Sequence, residues 1–291
     1  MSNLQHLYTR FLELFQHLTP EDNFLHQIRK PKLSDKQLIA LSLAAEAASI
    51  DSELNLFTQL PDQIKGQIER SVYNRRRRQL APIIEQFRQD IGQRISPTSS
   101  LHLIDSMPLE VCKLSRAKHS RICSQQEEQA PSYGYCAAQK LYYFGYKIHA
   151  TCTASGVFKT FDVSKASVHD IHYLNDVQSH LNHCVLIGDK GYLSQTYQQD
   201  LFDQSAIKLH TPMRNNQIDY VPFPAIYRKA RKRIETLFSQ LCDQFMIRRN
   251  YAKSFGGFAS RILAKITALT LLQWHNKLNN HPINHLKSAI C

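Results

Sequence analysis

Three acidic side chains occupy positions from which they could bind a divalent cation together. Asp105 ends the apolar run LHLID, Asp189 ends the apolar run CVLIGD, and Glu235 lies in a long basic amphipathic segment. Two carboxylates held side by side repel each other unless one is protonated or a cation lies between them. A hard ion such as Mg²⁺ binds through oxygen ligands of this kind. These residue types therefore indicate a candidate metal site.

The surroundings of Glu235 favour a site that faces phosphate groups. Apolar residues at helical spacing border it, which predicts a helix that packs on a sheet. These residues are Ile234, Leu237, Phe238, Leu241 and Phe245. Five basic residues precede it: Arg228, Lys229, Arg231, Lys232 and Arg233. The basic residues would neutralise a phosphate backbone while the acid holds the ion.

Each acid also has a purely structural interpretation. An aspartate at a strand end is often a turn or helix cap, and Glu235 could pair with Arg231 one helical turn away. Two further acids compete for the site. Asp170 is predicted as the acid of a helix-capping box opened by Ser167, and Glu110 as a solvated loop residue. Surface or capping roles are favoured over metal ligation for His169 and His172.

The elements around these acids predict a mixed sheet. LHLID and CVLIGD are predicted to be central strands, because they are apolar throughout and each ends in its aspartate. Residues 141–166 are predicted as two long strands joined at Ala154–Gly156. This hairpin excludes a purely parallel doubly wound sheet. The fold class is therefore α/β, a mixed sheet with helices on both faces, as in the ribonuclease H arrangement. Predicted elements after the hairpin are a helix from Ser167, the helix YQQDLF, the strand AIKLHTP, and helices at 225–247 and 258–278.

Residues 1–95 are predicted to be all-helical. Apolar residues recur at helical spacing, and Ser34 with Gln37 forms a capping-box pattern. The segment SPTSS at 96–100 is a predicted linker. The sequence thus predicts two domains: a helical DNA-binding domain at 1–95, and a catalytic domain with C-terminal helices at 96–291.

Composition favours a polyanionic partner. The 291 residues carry 36 Lys and Arg against 24 Asp and Glu, a net charge of +12, and a protein so basic attracts nucleic acid or anionic surfaces. The most apolar segment, 258–274, is interrupted by Arg261 and Lys265, so no membrane partner is expected. The N-terminus reads as an amphipathic helix and not as a cleavable signal, which predicts a cytoplasmic location.

Several motifs in order resemble the DDE transposases of bacterial insertion sequences, in particular the insertion-sequence 982 group. They are LIDSMPLEVC, YYFGYKIHATC, VHDIHYL, IGDKGYLS and RKRIETLFSQLCDQFMIRRNYAKS, and the resemblance covers about residues 100–275. It implies a ribonuclease H-like catalytic domain whose metal-binding triad is Asp105, Asp189 and Glu235. It also implies Mg²⁺ as cofactor, with Mn²⁺ as a substitute, and places Lys190 and Tyr192 beside the site. Related elements often carry a basic residue seven positions after the glutamate, where this chain has Cys242.

The resemblance implies phosphoryl transfer in DNA, with two metal ions. Water would free a 3′-OH at the end of the element, and that 3′-OH would attack target DNA. The implied partners are the terminal inverted repeats, the target DNA and a second copy of the chain, and the implied location is the bacterial nucleoid. The predicted DNA contacts are Arg75, Arg76, Arg77, Arg78, Lys190, Arg228, Lys229, Arg231, Lys232, Arg233, Arg248 and Arg249. The alternatives are a nuclease of the same fold that cuts without joining, and a catalytically inert, transposase-derived DNA-binding protein.

Overall fold

The chain forms two compact units. A computed structural model describes residues 3–214, 216 and 220–290. One unit comprises residues 1–95 and 240–291, and the other comprises residues 96–239. The first boundary falls at the predicted linker. Residues 240–291, however, join the N-terminal helices, whereas the sequence placed them with the catalytic domain.

The described residues form ten helices and six strands. In chain order they are α1 (Asn3–Gln16), α2 (Asp35–Ala47), α3 (Glu53–Thr58), α4 (Arg70–Gln79), α5 (Ala81–Ile95), β1 (Leu101–Cys112), β2 (Ser132–Cys136), β3 (Leu141–Thr153), β4 (Phe158–Lys165), α6 (Tyr173–Gln178), β5 (Cys184–Ile187), α7 (Gln195–Ser205), β6 (Ile207–His210), α8 (Ala225–Asp243), α9 (Phe255–Leu278) and α10 (Lys287–Ile290).

Helix α9 forms the centre of the helical unit. It packs against α5, α2, α4 and α1, because it is apolar on almost all sides and must be covered by other helices. By length and composition alone it could cross a membrane, but 83% of its most apolar window is buried inside the protein. Its two central cations, Arg261 and Lys265, both bind the Glu46 carboxylate on α2. We therefore interpret α9 as a core helix.

Helix α2 begins as the sequence predicts. The Ser34 hydroxyl accepts a hydrogen bond from the Gln37 backbone N–H, and the Gln37 side chain accepts one from the Ser34 backbone N–H. This reciprocal arrangement satisfies two donors that the first turn of a helix leaves without partners. The start of α2 fixes Asp35, which is completely buried.

The second unit contains a mixed six-stranded sheet in the order β2-β3-β1-β5-β6, with β4 paired to the second half of β3. The pairs β1–β3, β2–β3 and β3–β4 are antiparallel, whereas β1–β5 and β5–β6 are parallel. The long β3–β4 hairpin and strand β6 confirm the sequence predictions. Strand β2 was not predicted. Strand β1 continues for seven residues past Asp105, so the prediction that Asp105 ends its strand is wrong.

Helices cover the sheet on opposite faces. Ile104 of β1 packs with Leu174 of α6 and Leu201 of α7 in one buried cluster. The next residue, Asp105, points to the other face because successive side chains in a strand alternate. On that face it meets Arg231 of α8. The mixed α/β class with helices on both faces is therefore present in this unit.

Candidate active site

Asp105 lies within β1, and Asp189 follows the end of the neighbouring parallel strand β5. The register of β1 and β5 pairs Leu103 with Ile187, and each aspartate follows its paired residue by two positions. The strands of a sheet lie about 4.8 Å apart, so the two acids start from adjacent backbone sites. The sequence left open whether these two strands are neighbours, and the parallel pairing of β1 with β5 shows that they are.

Asp105 is a carboxylate that the fold holds with little solvent. Its Oδ1 accepts the Ser106 backbone N–H at 2.8 Å, and its Oδ2 lies 3.2 Å from a guanidinium nitrogen of Arg231. Burial raises the pKa of Asp105 to about 6, with Asp189 and Glu235 also raising it and Arg231 lowering it. The pKa of Asp105 therefore registers the charge of both other predicted triad members.

Asp189 caps a short 3-10 turn at Lys190–Tyr192. Its Oδ1 accepts the Gly191 backbone N–H at 2.8 Å, which fixes the orientation of the carboxylate. Gly188, just before it, packs so closely that an added Cβ would lie 3.0 Å from Ile104 Cγ2 and 3.1 Å from the Tyr192 ring. A side chain at position 188 would push the Asp189 turn away from β1. The IGDKGY motif thus encodes a close approach of these two chain segments.

Glu235 lies on α8, on the solvent side of the predicted apolar stripe. Ile234, Leu237 and Phe238 are buried, whereas Glu235 is exposed. Arg231, one turn earlier on the same helix, carries the ion pair to Asp105. Within the described residues, no three His, Cys, Asp or Glu side chains lie close enough together to hold a metal ion. In this arrangement Arg231 supplies the positive charge beside Asp105.

A fourth acid, Asp170, also lies near the site, although the sequence analysis assigned it to a helix cap. Asp170 Oδ1 accepts a hydrogen bond from Lys147 Nζ of β3 at 2.7 Å. An ideal Cβ built on Gly191 would lie 3.5 Å from Asp170 Oδ2 and 3.0 Å from Asp189 Oδ1, so both carboxylates line this glycine. The signal was present in the sequence as the separate motifs YYFGYKIH and VHDIHYL, but only the sheet brings them together.

The predicted capping box at Ser167 and Asp170 is wrong. His169 occupies the cap position, and its Nδ1 accepts the Ile171 backbone N–H. Ser167 instead bonds to Ser132 of β2 through its backbone N–H and its hydroxyl. Because strand β2 was not predicted, Ser132 could not be predicted as a competing hydrogen-bond partner of Ser167. The predicted capping role of His169 is confirmed.

Tyr192 is a completely buried residue beside the acids. Burial raises the pKa of its phenol well above 10, and Asp170, Asp105 and Asp189 raise it further. Among the described residues its hydroxyl has no hydrogen-bond partner. Lys190, two residues earlier, is exposed. A neutral phenol and three carboxylates therefore share one region of the second unit.

The exposed residues among the predicted DNA contacts lie in both units. In the second unit, Arg228, Lys229, Lys232 and Arg233 of α8 are exposed, and Arg231 is half-buried. In the helical unit, Arg75, Arg78, Arg248 and Arg249 are exposed. Burial raises the pKa of the Cys242 thiol, and Arg248 lowers it.

Arg76 and Arg77 need a correction. Arg76 binds the buried Asp35 carboxylate at 2.5 Å, and Arg77 binds Glu53 at 3.1 Å. Both arginines are more than nine-tenths buried, so the prediction that Arg76 and Arg77 contact DNA is wrong. Arg75 and Arg78 are exposed, and their contact with DNA stays a prediction. Four consecutive residues encircle a helix, and in α4 the middle two, Arg76 and Arg77, are the buried ones.

Fold and site together define a mixed α/β protein that gathers acidic side chains at the centre of a sheet, next to a basic helix. Residues 97–271 match the family described as "Transposase DDE domain". Because the match spans more than half of the chain, the chain belongs to this family. The matched segment contains Asp105, Asp189 and Glu235.

The solved structure "Mos1 transposase paired-end complex with left transposon end" aligns over 94% of this chain and 86% of its own, at 11% identity and a TM-score of 0.25. A likeness this distant carries no argument about fold or function. No curated protein matches the chain significantly.

The donor chemistry of the site fits a hard divalent cation. Asp105 and Asp189 offer oxygen ligands from adjacent backbone sites, and such ions prefer oxygen. Burial raises the pKa of Asp105 and so disfavours its ionised form, and a cation beside the carboxylate would favour that form. The residues that would hold it are Asp105 and Asp189.

Proposed function

We propose that this protein is a DNA transposase of a bacterial insertion sequence, of the insertion-sequence 982 group, with a ribonuclease H-like catalytic unit. It would cleave a strand at the element's ends and transfer the resulting 3′-OH to target DNA. The observation that carries this proposal is that β1, which contains Asp105, pairs in parallel with β5, which Asp189 follows, inside the segment that matches the family. Glu235 on α8 completes the proposed triad.

The chain's own residues would orient and balance charge. The Ser106 and Gly191 backbone N–H groups fix one oxygen of Asp105 and one of Asp189, leaving the other oxygens to face the site. Arg231 neutralises Asp105 when no other cation is present. A DNA phosphate entering the site would offer Arg231 a second anionic partner, since a guanidinium binds phosphate well. The Arg231 guanidinium could thus release Asp105 to a metal ion and bind a phosphate of the substrate instead.

The proposed cofactor is Mg²⁺, with Mn²⁺ as a substitute. When bound, a pair of such ions activates the attacking oxygen and stabilises the leaving oxygen of an in-line displacement. The half-buried setting of Asp105 and the buried Tyr192 would exclude bulk water from that region. Electrostatic interactions are stronger where water is excluded.

The basic surfaces would bind the DNA backbone. Lys190 and the exposed cations of α8 are close in sequence to Asp189 and Glu235. Because lysine and arginine commonly bind DNA phosphates, we assign them to phosphate contacts. Arg75, Arg78, Arg248 and Arg249 would contact the element ends from the helical unit. Two ends must be joined in one reaction, so we expect a homodimer on DNA, acting at the nucleoid in the cytoplasm.

The deciding experiment uses an end-labelled duplex that spans the DNA flanking the coding sequence. With Mg²⁺ the wild-type protein should nick the duplex at a defined position, and EDTA should abolish the nick. Asp189→Asn should lose cleavage by at least a hundredfold while keeping its DNA affinity. Asp203→Asn removes an exposed carboxylate of α7 and should cleave like the wild type.

Joined products separate transposition from simple hydrolysis. Incubation with a supercoiled plasmid should yield plasmid carrying the labelled end. Cleavage without joining would assign a nuclease instead. Full cleavage by Asp189→Asn, or DNA binding with no cleavage in Mg²⁺ or Mn²⁺, would overturn the proposed reaction.

A further inference from the structure

A ladder of exposed tyrosines lies at one end of the sheet. Tyr135 of β2 pairs with Tyr142 of β3, with ring centroids 5.0 Å apart, and Tyr133 lies two residues from Tyr135 on the same face. Tyr133, Tyr135 and Tyr142 are 50%, 52% and 68% exposed. We call these three residues the tyrosine ladder. Large aromatic side chains grouped in solvent generally mark a binding surface.

The ladder lies on the face of the sheet that carries Asp105. Tyr142 and Tyr146 of β3 point to one face because side chains alternate along a strand. Tyr146 is paired with Leu109 of β1, which shares its face with Asp105. From Tyr142 to Ala150, the partner of Asp105, the strand runs roughly 26 Å at about 3.3 Å per residue. Phe144, Tyr146 and Ile148 between them are buried, so a DNA strand would pass over the protein that covers them and reach the ladder within one turn of duplex, about 35 Å.

Positive charge accompanies the ladder on this face. Residues 113–121 carry four exposed cations and no acid: Lys113, Arg116, Lys118 and Arg121. We call this stretch the basic segment. It includes a 3-10 turn at Leu114–His119 that packs on β3. The chain then continues to Gln129, whose carbonyl accepts the Tyr146 hydroxyl at 2.6 Å. Two exposed glutamates, Glu127 and Glu128, follow the basic segment.

We propose that the tyrosine ladder and the basic segment together bind a single-stranded stretch of DNA, with unpaired bases stacked on the tyrosines. Aromatic rings beside a basic track are the combination that binds single strands without reading their sequence. The cations complement the phosphates, whereas a tyrosine-rich contact between two copies of the chain would bring the basic segments together and repel. This inference extends the proposed function, since it names a surface that holds a strand leading to or from Asp105.

The test measures affinity by fluorescence anisotropy, using a labelled 20-nucleotide single strand in EDTA. Tyr135→Ser/Tyr142→Ser should bind this strand on the order of tenfold more weakly than the wild type, the typical loss when a stacking aromatic is removed. Tyr135→Phe/Tyr142→Phe keeps both rings and should bind within about twofold of the wild type. Phe202→Ser, which removes an exposed aromatic from α7, should not change the affinity. Because EDTA prevents cleavage, this result is independent of the proposed reaction.

A second strand, abasic at its central positions, tests for stacking directly. The wild type should bind it as weakly as the serine variant binds the normal strand, and the serine variant should lose nothing further, because both changes delete the same contact. Unchanged affinity of the serine variant for the normal strand would overturn the proposal. If the serine substitutions weaken binding of the abasic strand as much as they weaken binding of the normal strand, the tyrosines do not stack on bases, and that part of the proposal is overturned. A wild-type dimer that becomes monomeric in the serine variant, with unchanged DNA affinity, would assign the surface to self-association instead.

Discussion

The burial of Arg76 gives the sharpest prediction, because it separates a structural arginine from its exposed neighbour. The Arg76 guanidinium donates to Asp35 Oδ1 at 2.5 Å and to the Leu33 carbonyl at 2.9 Å. The Asp35 side chain has no solvent exposure, and that of Arg76 has 8%. Arg76→Met would therefore leave a buried carboxylate without its cation. Removing one partner of a buried pair costs about 3–5 kcal/mol.

The lower end of that range applies here. Asp35 Oδ2 also accepts the backbone N–H groups of Phe24 and Leu25, both at 2.9 Å, and these remain in the variant. We expect Arg76→Met to lower the free energy of unfolding by about 3 kcal/mol, a large part of a typical total of about 5–15 kcal/mol. Urea denaturation followed by circular dichroism measures the change, with one fitted transition for each unit that unfolds separately.

Arg75→Met/Arg78→Met is the matched control, since both side chains are exposed on the same helix. Its stability should stay within about 0.5 kcal/mol of the wild type. If both residues bind phosphates, the slope of log affinity against log salt should fall by about 1.8 in magnitude. A wild-type stability for Arg76→Met, or an unfolded control, would refute the assignment of one arginine to the core and two to the surface.

Three further outcomes follow from the buried charges. Because burial raises the pKa of Asp105 from 3.8 to about 6, its contribution to stability is present below pH 4 and is lost as the pH rises through 6. In urea denaturation, Asp105→Asn should therefore be more stable than the wild type at pH 8, by up to about 3 kcal/mol, and the difference should vanish near pH 4; a difference that does not depend on pH would contradict this. Glu46→Gln strands Arg261 and Lys265 in the core of the helical unit and should cost about 3–5 kcal/mol in the same assay, whereas a loss under 1 kcal/mol would show that the cations find other partners. Burial, together with Lys147, lowers the pKa of His149 to about 4 despite Asp170; Lys147→Met should raise that pKa, measured by NMR titration of the imidazole, and no change would place Lys147 too far away to matter.

Local patterns were sufficient to predict most elements but not their full extent. The β3–β4 hairpin, β6 and α9 were visible as alternation or helical periodicity in a few residues. Strand β1 was predicted to end at Asp105 because the apolar run LHLID ends there, whereas its pairing with β3 continues to Cys112. Pro108 is tolerated because the parallel register with β5 ends at Leu103, and proline fits a strand where a ladder bond is not needed.

Contacts between distant parts of the chain set the limit of prediction from sequence. Strand β2 was missed because Gly134 weakens a strand pattern, yet a Cβ there would lie 2.7 Å from Ala166. The pairing of Lys147 with Asp170 joins two motifs that each had a simpler local interpretation. For the site, the two apolar strands that lead to Asp105 and Asp189 could be predicted, whereas their pairing and the role of Arg231 as the counter-ion could not.

The helical unit is assembled from both ends of the chain, and this affects its biosynthesis. Glu46 and its partner Arg261 are 215 residues apart in sequence. At about 5–20 residues per second, the ribosome needs at least ten seconds to supply the second half of that ion pair. During this interval the sheet of residues 96–239 can already form. The apolar surface of the N-terminal helices that α9 later covers stays exposed until α9 has been synthesised. The apolar surface that α9 covers in the finished protein is therefore completed only after residues 255–278 have been synthesised.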